Sequence, residues 1–179
     1  MPKPTSQPTS RPQPRSAAFA VTLDLAGVAA TERLAARLAG VARIGDVIAL
    51  SGELGTGKTA FARAFVRALT TPAEEVPSPT FTLVQVYDGA SGPIYHFDLY
   101  RVRSPAEAWE LGVEEAFALG MSLIEWPERL GPLMPAGRLE LRFAHVPGGG
   151  ADARRVEIVA EDGWRDRLAS LGLDAGARA

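Results

Sequence analysis

The chain has no cysteine and no asparagine, two histidines, and two lysines, Lys3 and Lys58. Without cysteine it can form no disulfide, no thiolate-ligated zinc site and no thiol nucleophile. His96 and His145 are too few for a histidine-rich metal site. Without asparagine it cannot carry Asn-Lys-x-Asp, the element with which GTPases read guanine. A one-signed charge excess is also missing: the net charge of −2 over 179 residues supplies no field that pulls the whole protein onto nucleic acid or a membrane. No apolar run approaches the roughly 20 residues of a membrane span, and the N-terminus lacks the apolar stretch of a signal peptide. A soluble, cytoplasmic protein with no membrane association is expected.

Residues 1–16 hold five prolines, several Ser and Thr, and Lys3, Arg11 and Arg15 without an acid. Such a segment cannot bury a core and is expected to be a disordered tail. Its basic, Ser-rich character would suit a transit peptide, but the prolines oppose the amphipathic helix one needs. Residues 17–179 are then expected to form a single domain, long enough for a sizeable core.

Within that domain the apolar periodicity alternates between strand and helix. Phe19 to Leu23 reads as a strand, and Thr31 to Ala42 as a helix with Thr31 as N-cap. Val47 to Leu50 reads as a buried strand, and Lys58 to Leu69 as a helix with Phe61, Phe65 and Leu69 on its core face. Two strands, Phe81 to Tyr87 and Ile94 to Leu99, form a hairpin turning over Asp88 to Pro93. Ser104-Pro105 opens a helical piece to Leu111, and Val113 to Leu119 is a second, closed by Gly120. Met121 to Trp126 is a short apolar strand, followed by a turn or short helix over Pro127 to Leu130. Arg138 to Ala144 and Arg155 to Ala160 are two further strands around Pro147-Gly-Gly-Gly150, and Trp164 to Leu171 is a closing helix. Antiparallel pairs added to a parallel core give α/β, three layers with a mixed parallel/antiparallel sheet.

The strongest signal is Gly52-Glu-Leu-Gly-Thr-Gly-Lys-Thr59, lying between a buried strand and a helix start. It is the complete phosphate-loop pattern, Gly-x-x-x-x-Gly-Lys-Thr, in the context that pattern requires. Gly52, Gly55 and Gly57 allow backbone amides to converge on a phosphate. Glu53, Leu54 and Thr56 complete the loop, and the helix presents free N–H groups and its positive dipole end. Lys58 is predicted to reach the outer phosphates and Thr59 to ligate Mg²⁺. The scarcity of lysine adds weight: the domain uses arginine elsewhere, yet places a compact ammonium where a point charge is needed. A Gly-rich helix cap is the plainer alternative.

Hydrolysis needs an acid near Mg²⁺ and a group that positions water. Two acids fall at strand ends: Asp98 in Tyr95-His-Phe-Asp-Leu-Tyr-Arg101, and Glu125 in Ser122-Leu-Ile-Glu-Trp126. Ligands gather at the carboxyl ends of strands in open α/β sheets. Glu125, after an apolar lead-in, has the form of a Walker B acid and is the second metal candidate. Thr80 lies in the Pro-punctuated loop after the first helix of the site, where switch segments sit in other phosphate-loop proteins; a turn hydroxyl is the alternative. The one Asp-x-x-Gly, Asp24 to Gly27, precedes the phosphate loop, which is the wrong order for a GTPase. A small-molecule or nucleoside kinase could use Arg101, Arg103 and Arg129, but no lid-like insertion is visible.

Four segments occur in one order: the phosphate loop, Ser78-Pro-Thr-Phe-Thr-Leu-Val84, Tyr95-His-Phe-Asp-Leu-Tyr-Arg101 and Ile124-Glu-Trp-Pro127. Together they resemble the bacterial TsaE (YjeE) family of small ATPases over roughly residues 20 to 160. The resemblance implies a P-loop NTPase-like fold, ATP and Mg²⁺, and a part in making threonylcarbamoyladenosine beside the anticodon of tRNA. It implies a TsaD-like transferase and a TsaB-like subunit as partners, with tRNA reached only through that complex. ATP turnover would reset the complex. By resemblance Lys58 and Thr59 are the loop lysine and metal threonine, Thr80 the switch-like threonine, and Asp98 the acid of the His-x-Asp-x-Tyr-Arg motif. Glu125 is the Walker-B-like acid, with Trp126 beside it. The proline-rich tail and the Gly-rich connection at 147–150 depart from the pattern without touching these motifs. Slow intrinsic hydrolysis is expected, because no arginine finger can be assigned. A nucleotide-gated binding module with negligible catalysis is a third class. Trp109 and Trp126 are expected to be packed, with a place at the partner-facing surface as the alternative.

Overall fold

Val47, Ile48, Ala49 and Leu50 are each at most 3% exposed, so the strand they form is buried on both faces, as the centre of a parallel sheet must be. The computed structural model describes residues 19–173. The tail expected over residues 1–16 lies outside them, as do 17–18 and 174–179 of the expected domain. The elements are β1 (Phe19–Leu25), α1 (Val28–Ala39), β2 (Val47–Ser51), α2 (Lys58–Leu69), β3 (Val84–Gly89) and β4 (Gly92–Asp98). They continue with α3 (Pro105–Trp109), α4 (Val113–Leu119), β5 (Met121–Glu125), a 3₁₀ segment at Pro127–Leu133, β6 (Leu139–His145), β7 (Arg154–Ala160) and α5 (Asp162–Ser170).

The seven strands form one sheet in the order β1-β7-β6-β2-β5-β4-β3. β2 runs parallel to β5 and β6, and β5 parallel to β4; the β1–β7, β6–β7 and β3–β4 pairs are antiparallel. Side-chain alternation divides the core between the two faces. Ile48, Leu50, Ile94 and Leu123 pack with Leu38 of α1, Phe61 and Phe65 of α2, and Trp164 of α5. Val47, Phe97 and Ile124 pack on the other face with Ala108, Val113, Ala116 and Leu130. This is the expected mixed-sheet, three-layer α/β architecture. Arg167 of α5 holds the entrance of β2, its guanidinium donating to both oxygens of Asp46 at 2.5 and 3.0 Å. Among the described residues no helix is long and apolar enough to cross a membrane.

Four local expectations need correction. α1 begins at Val28, so Thr31 is a buried helical residue and not the N-cap; Gly27 stands there, and the alanines before Thr31 sustain the extra turn. Past Gly40 the chain continues in tighter turns, Val41 N–H to the Leu38 carbonyl and Ala42 N–H to that of Ala39, each at 3.2 Å. β3 starts at Val84, not Phe81. Leu83 takes a left-handed φ of 65° and its N–H donates to the Pro79 carbonyl at 2.6 Å, folding Phe81–Leu83 into a turn. The β3–β4 hairpin is tighter than expected, with Gly89 paired to Gly92. Trp109 is 46% exposed, not packed.

Candidate functional site

The loop leaves β2 through Gly52, whose φ is +134° and whose Cβ, were there one, would lie 2.3 Å from the Phe143 carbonyl oxygen. Only glycine lets the strand turn there against β6. Inside the loop, the Thr56 hydroxyl donates to the Glu53 carbonyl at 2.8 Å. Lys58, in the first turn of α2, donates to the carbonyls of Gly52 and Glu53, each at 2.8 Å. The Trp126 ring lies over the same ammonium, 4.2 Å to its centroid. Burial pulls the Lys58 pKa below the ordinary lysine value, while the charges of Glu125, Asp98 and Glu128 oppose that shift. The cation is thus held at the loop mouth and short of solvent.

The sheet register brings the two acids to the same level. Asp98 closes β4, Glu125 closes β5, and the two are paired; Glu125 is also paired with Leu50, two residues before the loop. Glu125 is 2% exposed. Its Oε2 accepts from the Thr59 hydroxyl at 2.9 Å, and its Oε1 lies 2.9 Å from His96 Nε2. Asp98 accepts from the Thr80 hydroxyl at 2.6 Å and from the Tyr100 N–H at 3.1 Å, with the Ser78 hydroxyl at 3.4 Å. The Thr80 hydroxyl and Asp98 therefore meet, as do the Thr59 hydroxyl and Glu125.

These groups face one cavity of about 320 Å³, lined by Gly55, Lys58, Thr59, Thr80, Asp98 and Glu125 among others. Leu54, 78% exposed, and Gly57 also border it, whereas Gly52, Glu53 and Thr56 shape the loop from behind. Arg101, Arg103 and Arg129 do not line it. Arg101 lies instead over the Phe81 ring, 4.4 Å to the centroid. Among the described residues no three His, Cys, Asp or Glu side chains form a metal cage. A hydroxyl and a carboxylate 2.9 Å apart are nevertheless the sparse, hard-oxygen set with which Mg²⁺ bound to a phosphate chain is held. The residues present fit that group.

Four residues had no assigned role in the sequence reading. His96 lies two residues before Asp98 and so on the same face of β4, but its partner depends on β4 lying beside β5, which no local pattern announces. Ser78 hydrogen-bonds Thr80 at 2.8 Å, and Tyr100 packs on Trp126 with ring centroids 5.0 Å apart. Arg154 reaches the Gly55 carbonyl at 3.1 Å from 99 positions away, and no local pattern announces it.

Comparison with known proteins decides the family. Residues 25–155 match the profile described as "Threonylcarbamoyl adenosine biosynthesis protein TsaE". The chain belongs to the TsaE family. Within it, a Bacillus subtilis protein named "tRNA threonylcarbamoyladenosine biosynthesis protein TsaE" is 35% identical over 131 residues, 73% of this chain and 79% of that protein. A Rickettsia conorii protein of the same name is 40% identical over 113 residues, which span 63% of this chain and 65% of the relative's length. The crystal structure of Bacillus subtilis YdiB superposes with a TM-score of 0.71 at 28% identity, covering 87% of this chain and 95% of that one. The resemblance drawn from four short motifs is thus a family membership, and each of the four segments contributes residues to the cavity.

Proposed function

We propose that this TsaE-family chain binds ATP with Mg²⁺ and hydrolyses it slowly, as a nucleotide switch in threonylcarbamoyladenosine modification of tRNA. It acts on a complex of a TsaD-like transferase and a TsaB-like subunit in the cytoplasm. The observation that carries this reading is the contact of the Thr59 hydroxyl with Glu125 at 2.9 Å beside the Lys58 ammonium. It joins the loop, the metal ligands and the strand-end acid in one cavity.

In this assignment the amides of Gly52 to Gly57 and the first turn of α2 cradle the phosphates, and Lys58 neutralises the outer ones. Thr59 and Glu125 hold Mg²⁺, which when bound neutralises charge developing on the phosphoryl oxygens. Asp98 and Thr80 position the attacking water or sense the outer phosphate. No arginine lines the cavity among the described residues, so intrinsic turnover is slow and a partner completes the site. The names of the relatives support the pathway. A net charge of −2 gives the chain little hold on tRNA by itself, so tRNA is met through the complex. No observation favours the kinase alternative.

The test is a titration of the purified protein with ATP, ADP and GTP, with and without Mg²⁺, followed by intrinsic tryptophan fluorescence. Trp126 stacks over Lys58 and reports on the site. The reading requires saturable ATP binding that GTP competes with poorly, and slow release of phosphate. Binding without any hydrolysis, even in the presence of partners, would replace the ATPase by a nucleotide-gated binding module.

A further inference from the structure

His96 is fully buried in the middle of β4, and its ring has one polar partner. Nε2 lies 2.9 Å from Glu125 Oε1, while Nδ1 is buried without a partner. An imidazole with one orphaned nitrogen is a costly way to fill a buried position paired with Leu123 across the sheet; an aliphatic side chain would fill it without that penalty. The bond to Glu125 is what the ring supplies. A carboxylate only accepts, so Nε2 carries the proton and donates.

We infer that His96 is a positioning residue that fixes the Glu125 carboxylate, and through it the Thr59 hydroxyl, for Mg²⁺-dependent turnover. The inference rests on the nucleotide-switch reading above. A glutamate has one more rotatable bond than the aspartate common at this place, so one hydrogen bond leaves its carboxylate free to turn. Here both oxygens are tied: Oε2 takes the Thr59 proton and Oε1 takes that of His96. With its proton donated to Glu125, the Thr59 hydroxyl turns a lone pair away from that bond and toward a metal, and His96 keeps the acceptor aimed. The register makes the arrangement possible. Asp98 is the β4 residue opposite Glu125, and His96, two positions earlier on the same face, reaches it diagonally.

The test compares His96→Leu, His96→Gln and His96→Asn in the full chain. In His96→Leu, kcat falls about 10- to 100-fold and the half-saturating Mg²⁺ concentration rises in parallel. Metal-free nucleotide affinity and KM stay near wild type, because the loop is untouched. His96→Gln restores most of the loss, since its amide nitrogen reaches where Nε2 does, and the shorter His96→Asn does not. Independently of turnover, the exchange-protected imidazole N–H proton of His96 should be visible by NMR, absent in His96→Gln and shifted in Glu125→Gln. Wild-type kcat and Mg²⁺ dependence in His96→Leu overturn the inference. So does a loss that tracks the melting temperature and is not rescued by Gln, which would make His96 a packing residue. A wild-type protein that binds no nucleotide overturns the functional reading too, whereas wild-type turnover with an indifferent His96→Leu overturns this inference alone.

Discussion

Replacing Gly52 by alanine tests how the strand becomes a phosphate loop. The added Cβ would stand 2.3 Å from the Phe143 carbonyl oxygen and 3.0 Å from Thr56 Oγ1, in a backbone with φ +134°. The backbone conformation alone costs a non-glycine residue roughly 1–3 kcal/mol. Relieving the contact means moving backbone in β6 or in the loop, an overpacking cost of about 1–3 kcal/mol more. Gly55 is the control within the same loop: φ is +78°, and nothing lies within 4 Å of its Cβ position. Gly55→Ala should therefore cost only the left-handed backbone penalty of about 1–2 kcal/mol. For Gly52→Ala a total of roughly 2–6 kcal/mol lowers Tm by roughly 4–24 °C in a domain of this size. The Gly52 carbonyl also accepts from Lys58 at 2.8 Å, so nucleotide affinity should fall with stability in Gly52→Ala. Denaturant melts followed by circular dichroism measure both variants. Gly52→Ala costing no more than Gly55→Ala would refute the claim that contact with β6 dictates glycine at this position.

Lys58→Ala should weaken ATP binding about 10- to 100-fold, the loss of one charge-assisted hydrogen bond to phosphate, with little change in Tm; unchanged affinity would remove the lysine from the cradle. Glu125→Ala should keep metal-free nucleotide binding and lose Mg²⁺-stimulated phosphate release, read in a single-turnover assay. Away from the site, burial would raise the Glu140 pKa, but the hydrogen bonds from Arg142 and Arg138 outweigh it and hold the carboxyl below the usual glutamate range. Its folded-state value lies below the unfolded one, so its stabilisation is complete above the ordinary range and disappears as pH falls through the lowered value. The Tm difference between wild type and Glu140→Gln should therefore be largest at neutral pH and close on acidification, as a pH series of thermal melts will show.

What the sequence made legible was local. Lys58–Leu69 begins and ends where periodicity places it, because a glycine on one side and an apolar face along its length define it without help from the rest of the chain. The place of Glu125 at the end of β5 was legible because an apolar strand running into an acid is itself a short signal. The Thr80–Asp98 bond joins positions 18 apart and could be drawn only after the resemblance supplied both ends. His96 was hidden for a different reason: its pairing with Glu125 depends on β4 lying beside β5, and hydrophobic alternation does not reveal strand order. Phe81 alternates like a strand residue, yet the Pro79–Leu83 turn overrides that pattern and leaves its ring 81% exposed against Arg101. Trp109 sits at the end of a helix of five residues, too short to carry it to cover.

ATP hydrolysis by the purified chain, alone and then with the TsaB-like and TsaD-like proteins proposed as its partners, with GTP as competitor, tests the switch most directly. The account predicts slow turnover alone, clear stimulation by the partners, preference for ATP, and dependence on Glu125 in both conditions. Robust hydrolysis indifferent to the partners would contradict the switch, and phosphate transfer to a small acceptor would make the protein a kinase.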